Sequence, residues 1–250
     1  MGKGHQDKIA VITGAATGIG QRYAVRLAEE GVDIAVADIG DAAETVSLVE
    51  KAGRTARGYL CDVTSPESVA GMAESAMSDF GRCDILINNA GIYPNVPFED
   101  ISFDDWRRVM SINLDSLFLT AKQFVPGMKE RGWGRVVNVS SSTLATPVTG
   151  YVHYVSSKGG VVGFTRALAS DLAPHGITVN AVSPSLVPTT GTMLTEPRTE
   201  ERFQMIANFQ AIKQVQQADD VVGTVAFLTS DDATFVTGQT IYVDGGWVRA

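Results

Sequence analysis

Short aliphatic runs alternate with amphipathic stretches along this 250-residue chain, and the runs IAVIT, DIAVAD, DILIN, RVVNV and ITVNAV carry no alternating polar face. A strand that is apolar on both sides must be covered on both sides, which is the condition of a strand inside a parallel sheet. Seven strands are expected, at 8–13, 33–38, 56–60, 84–87, 135–139, 177–181 and 240–243. Between them, helical periodicity is expected at 19–30, 41–52, 66–80, 103–131, 154–173 and 218–228. Ser65 before Pro66 reads as a helix start, and Gly53, Gly81 and Gly132 stand where helices end. Repeated βα units of this kind predict an open, doubly wound α/β sheet with right-handed crossovers.

Composition narrows the class of partner. Twenty Lys and Arg against 28 Asp and Glu give a net charge of −8, the wrong sign for gathering nucleic acid or anionic lipid. Cys61 and Cys83 make no disulfide framework, and no Cys/His spacing resembles a metal site, so no metal is expected. Residues 1–8 lack the apolar core of a signal peptide, and the longest uncharged stretch, 136–157, is rich in serine and threonine. A soluble cytoplasmic protein with no membrane partner is the expectation.

Directly after the first strand comes Thr13-Gly14-Ala15-Ala16-Thr17-Gly18-Ile19-Gly20, opening the first helix. Glycines at 14, 18 and 20 permit a tight turn, close approach of backbone to a pyrophosphate, and close helix-on-sheet packing. The second strand ends in Asp38, 18 residues after Gly20, where a carboxylate accepts hydrogen bonds from ribose hydroxyls and repels a 2′-phosphate. No Lys or Arg lies between 14 and 20 or just after Asp38, so the dinucleotide expected is NAD and not NADP. The alternative for Asp38 is a helix-capping or turn role. Asp62-Val63 follows the third strand and Asn88-Asn89-Ala90-Gly91 the fourth, both at carboxyl ends where ligands bind; a simple turn also explains the second group.

Together with Asn113, Ser140-Ser141 and Tyr154-Val155-Ser156-Ser157-Lys158, these motifs resemble the short-chain dehydrogenase/reductase family over residues 8 to about 246. The resemblance implies a Rossmann-like seven-stranded fold: one oxidoreductase domain over residues 1–250, with a substrate loop at about 185–215. It implies a catalytic set of Asn113, Ser141, Tyr154 and Lys158. It also implies dinucleotide contacts at Thr17, Ile19, Asp62, Val63, Asn88, Asn89, Ala90 and Gly91, at Tyr154 and Lys158, and along Pro184, Val187 and Thr189. Members commonly assemble as tetramers through the helix near 103–131, the helix after Tyr154 and the last strand. The family usually has glycine where this chain has Ser185.

Tyr154 and Lys158 are four apart on one helix face, so the ammonium, aided by the positive nicotinamide ring, is expected to favour the phenolate and draw it toward working pH. Ser141 would steady the substrate oxygen, and the resemblance implies a water held at Asn113 that links Lys158 to solvent. His153 reads as a pocket or core histidine, and His5 and His175 have no visible partner. Strings at 81–94, 124–128, 132–135 and 163–172 resemble members that oxidise a carbinol on an aromatic ring, implying a 1-phenylethanol/acetophenone-like substrate. Ser141, Tyr93, Tyr151, Leu186 and Met193 are the expected substrate contacts, with Leu144, Phe203, Met205 and Phe209 as further apolar lining. No arginine cluster marks an anionic substrate, although Arg198 and Arg202 lie in the loop. A 3-oxoacyl thioester reductase, a pyridoxal or sugar alcohol dehydrogenase, and a non-catalytic dinucleotide sensor remain open.

Overall fold

The computed structural model describes residues 4–189, 191–192 and 199–249. Seven strands form one parallel sheet: β1 (Ile9–Thr13), β2 (Asp33–Asp38), β3 (Ala56–Leu60), β4 (Ile85–Asn88), β5 (Gly134–Val139), β6 (Ile177–Pro184) and β7 (Thr240–Val243). Their order is β3-β2-β1-β4-β5-β6-β7, every neighbouring pair parallel. This is the doubly wound Rossmann-like arrangement that the uninterrupted apolar runs require. The strand order reverses between β1 and β4, and the crevice at such a switch point is where ligands bind.

Helices α1 (Gly18–Glu29), α2 (Ala43–Lys51), α3 (Pro66–Phe80), α4 (Phe103–Met110), α5 (Ser116–Arg131), α6 (Val152–Leu172), α7 (Thr199–Phe209) and α8 (Asp219–Thr229) follow the strands. Alternate residues of one strand feed two cores. Ala10, Ile12, Ile34, Val36, Ile85 and Ile87 pack with Leu27 of α1 and Val221, Val225 and Leu228 of α8. Val11, Ala35, Leu86, Val136 and Val179 pack with Met72 of α3, Phe124 of α5 and Leu172 of α6. The edge strand β3 keeps most of its residues exposed.

Two elements differ from the sequence expectation. The helix expected over 103–131 is interrupted by a π-helical turn, Ser111–Asp115, which separates α4 from α5. Ser102 opens α4 with a capping box closed by Asp105. The segment expected to be irregular contains α7. No helix among the described residues is long and apolar enough to cross a membrane.

A buried polar ladder ties the middle of the sheet to the helices behind it. Asn88 of β4 pairs in register with Asn138 of β5, and the Asn88 amide donates to the Asn138 oxygen at 2.8 Å. Thr120 of α5 donates to the Asn88 oxygen at 2.7 Å, and Asn138 donates to Thr165 of α6 at 2.9 Å. Each side-chain polar group of this four-residue ladder is paired with the next, so removing one orphans its neighbour. Asn138→Ala should therefore cost about 2–4 kcal/mol in urea denaturation, through the unpaired Asn88 amide and the space left behind.

Candidate active site

All the candidate chemistry sits at the carboxyl end of the sheet. Ser141 follows β5 and caps a short 3-10 turn, Ser142–Ala145, accepting from the Thr143 amide at 3.2 Å and the Thr143 hydroxyl at 2.9 Å. Tyr154 and Lys158 rise from the first turns of α6. The Lys158 ammonium donates to the Val139 carbonyl at 2.7 Å and stands 5.8 Å from the centre of the Tyr154 ring. Asn113 lies in the π-turn and is fully buried. Its amide donates to the Ile92 carbonyl at 2.8 Å and the Ser157 hydroxyl at 3.0 Å, while its oxygen accepts from the Ile92 amide at 2.8 Å. Gly91 fills the space between: a Cβ there would lie 3.3 Å from the Asn113 oxygen and 3.6 Å from the Lys158 nitrogen.

Burial is the largest influence on the protonation of both members of the pair. Loss of solvent pushes the Tyr154 phenol up to about 12; the Ser141 hydroxyl pulls it down and Tyr93 pushes it further up. The same burial lowers Lys158 from 10.5 to about 8. Because the ammonium is directed at a backbone carbonyl, its charge does not outweigh desolvation at the phenol, and Tyr154 carries its proton at neutral pH. That is the form needed to donate a proton to a carbonyl oxygen.

A cleft of about 260 Å³ opens over these groups. Thr17, Gly18, Ile19, Asn89, Gly91, Pro184, Val187 and Thr189 form one part of its wall, and Ser141, Tyr93, Tyr151, Tyr154, Lys158 and Leu186 another. Tyr93 and Tyr151 meet Tyr154 edge to face, at 6.2 and 6.0 Å between ring centres. Gly14, Gly20 and Ala90 stand behind the wall as its scaffold. A Cβ on Gly20 would come within 2.3 Å of the Gly14 carbonyl and 2.6 Å of the Asn89 amide, which itself donates to the Thr13 and Gly14 carbonyls. Gly18, at φ 64°, presents backbone to the cleft.

Asp38, Asp62 and Val63 stand farther along the same sheet edge, outside the cleft lining. The Asp38 carboxylate accepts from the amides of Ala16 at 2.8 Å and Gly40 at 2.9 Å, which is the turn role. Asp62 accepts from the Thr64 amide and hydroxyl, which hold its carboxyl below the usual range. Asn88 is a correction: it is buried, and its side chain is engaged by Asn138 and Thr120, so it supports the site from beneath.

Of the expected apolar lining, Leu144, Phe203, Met205 and Phe209 are absent from the cleft wall. Phe203 is buried, while Met205 and Phe209 are exposed on α7 and Phe209 stacks on Trp247. Val148, Arg202, Ile206 and Trp247 line the wall in their place. Met193 and Arg198 lie outside the described residues. Ser185 adopts an ordinary negative φ, and its amide donates to Gln216 at 2.8 Å, so a side-chain bridge holds the turn where glycine was expected.

Residues 14–248 match the family model described as Enoyl-(Acyl carrier protein) reductase. The chain is 37% identical over 246 residues to the (2S)-[(R)-hydroxy(phenyl)methyl]succinyl-CoA dehydrogenase subunit of Thauera aromatica, covering 97% of each. It is 36% identical over 242 residues to the 3-oxoacyl-(acyl-carrier-protein) reductase of Haemophilus influenzae, covering 96% of this chain and 98% of that one. Carveol dehydrogenase of Mycobacterium avium, solved in complex with NAD, superposes with a TM-score of 0.92 at 32% identity over 99% of both chains. The chain belongs to the short-chain dehydrogenase/reductase family. It is therefore an oxidoreductase.

One histidine of this short-chain oxidoreductase is structural. His153, beside Tyr154, is fully buried outside the cleft, and neither ring nitrogen has a hydrogen-bond partner among the described residues. Burial lowers its pKa while Asp105 pulls the other way. The folded protein thus binds fewer protons here than the unfolded chain, and stability falls as pH drops below about 6.5. His153→Leu should flatten the loss of Tm between about pH 7 and 5; an unchanged slope would place its source elsewhere.

Proposed function

We propose that this protein is an NAD-dependent dehydrogenase that interconverts a hydrophobic, aryl-substituted alcohol and its ketone, of the 1-phenylethanol/acetophenone type. The convergence of Ser141, Tyr154 and Lys158 on the floor of one cleft, beside the glycine turn, carries the reading. A dinucleotide fits the residues present. Gly18 offers bare backbone to the cleft, Gly20 lets the helix start approach the strand, and Thr17, Ile19, Asn89, Gly91, Val187 and Thr189 complete the wall. Asp38 retains lone pairs for ribose hydroxyls beyond those given to Ala16 and Gly40, and its charge opposes a 2′-phosphate. NAD, when bound, supplies the hydride acceptor for oxidation and, reduced, the donor for reduction.

The chain's own groups handle the proton. In reduction, Tyr154 gives its phenolic proton to the carbonyl oxygen while the Ser141 hydroxyl donates a hydrogen bond to the same oxygen. In oxidation Tyr154 takes the proton back, which requires that its raised pKa be lowered by positive charge in the occupied site. Lys158 fixes the Val139 end of β5 and adds a positive field behind the phenol. Asn113 holds the Ile92 backbone so that Gly91 and Tyr93 face the cleft.

The hydroxy(phenyl)methyl group in the name of the Thauera relative, and the apolar and aromatic wall at Tyr93, Tyr151, Leu186 and Trp247, support a ring-bearing carbinol. The Haemophilus relative and the family model favour a second reading, reduction of a 3-oxoacyl thioester. Phe103 and Phe118, exposed on α4 and α5, support assembly as a homo-oligomer, a tetramer, through that face.

A turnover screen of 1-phenylethanol, pyridoxal, 3-hydroxyacyl thioesters and simple sugars with NAD and NADP separates these readings. Activity on 1-phenylethanol with NAD is expected; activity confined to thioesters would move the assignment to the second reading. Tyr154→Phe should lower turnover by about 10²–10⁴-fold and leave NADH affinity within about threefold, measured by fluorescence titration. Equal loss of both would mean that the tyrosine is structural.

A further inference from the structure

Thr143 meets Ser141 twice. Its backbone amide donates to the Ser141 hydroxyl oxygen at 3.2 Å, and its side-chain hydroxyl donates to the same oxygen at 2.9 Å. Both residues belong to the short turn that follows β5; Ser141 is buried, Thr143 is half-buried, and both line the cleft. A serine hydroxyl has one proton to give and two lone pairs with which to receive. Thr143 fills both lone pairs, so what Ser141 offers the cleft is its own O–H. That hydroxyl lowers the pKa of Tyr154, as a donor to the phenol oxygen does. The preceding serine is committed elsewhere: Ser140 donates to the Lys158 carbonyl at 3.3 Å.

We infer that Thr143 is a positioning residue that makes Ser141 a donor, and never an acceptor, toward the reacting oxygen. This rests on the aryl-alcohol reading for the identity of that oxygen and adds the direction of the hydrogen bonds around it. In reduction the ketone oxygen accepts from Ser141 and from Tyr154, and neither hydroxyl has to turn. In oxidation the carbinol oxygen accepts from Ser141, which leaves the carbinol proton to Tyr154, the group that removes it. A serine hydroxyl with a free lone pair would compete for that proton. Thr143 suits the task because its branched side chain is stiff at χ1 and its amide anchors it to the very oxygen its hydroxyl serves. Donation from Thr143 also polarises the Ser141 O–H and strengthens the bond that it makes.

Thr143→Val keeps the shape of the side chain and removes the hydroxyl, whereas Thr143→Ser keeps the hydroxyl. With acetophenone and NADH, Thr143→Val should lower kcat by about 5–20-fold and leave KM within about threefold. In oxidation of 1-phenylethanol with NAD, it should move the acidic limb of the kcat–pH profile upward by about 0.5–1 pH. Thr143→Ser should restore both, and in a Ser141→Ala background Thr143→Val should change neither. An unmoved pH profile, or an equal loss in the Ser141→Ala background, overturns the inference. Neutron diffraction from deuterium-exchanged crystals reads the polarity without turnover. A Thr143 deuteron directed at Ser141, with the Ser141 deuteron turned to the cleft, supports the inference even where neither aryl compound reacts, a result that overturns the aryl-alcohol reading alone. A Ser141 deuteron directed at Thr143 overturns the inference and leaves that reading standing.

Discussion

Covering both faces of the sheet confines the chemistry of this protein to one edge. Side chains of β1, β2, β4, β5 and β6 go alternately into two apolar cores, and a charged group placed in either would need its own partners. The carboxyl ends of the strands escape that condition, because loops replace helices there and backbone groups open to a cleft. The parallel register carries Thr13, Asn88 and Val139 to this boundary, and the residues immediately following them build the site.

The boundary position makes the site costly to hold and useful for the same reason. Lys158 is buried and Tyr154 half-buried where it faces the cleft, and each is driven toward its neutral form. A phenol that keeps its proton is suited to protonating a carbonyl, while an amine that titrates near 8 responds to charges arriving in the cleft. Position is secured from below: the Val139 carbonyl takes the ammonium, and outside the cleft lining the Asn88, Asn138, Thr120 and Thr165 ladder locks β4 and β5 to α5 and α6.

Much of this was legible in the sequence because the responsible residues are close together in the chain. The apolar runs announced the buried strands, the Gly14, Gly18 and Gly20 spacing announced the strand-to-helix turn, and the Tyr154/Lys158 spacing placed both on one face. Protonation was not legible, since the ammonium's real partner, the Val139 carbonyl, lies 19 residues away across a loop. Nor was the role of Asn88, whose neighbours in sequence suggested a ligand contact while its neighbours in space use up its amide. Arg202, Ile206 and Trp247 reach the cleft from α7 and from the chain beyond β7, so no local pattern tied them to Tyr154.

The π-helical turn at Ser111–Asp115 has a further consequence. Such a turn accommodates one residue more than an α-helical turn, and each residue of a helix advances the face by about 100°. Asn113 reaches Ile92 and Ser157 only while that surplus residue is present, and α5 presents Thr120 to Asn88 in the same phase. The turn thus acts as a spacer whose length matters more than its composition. A single-residue deletion there would rotate the two clamps out of step with each other even if every named side chain were retained.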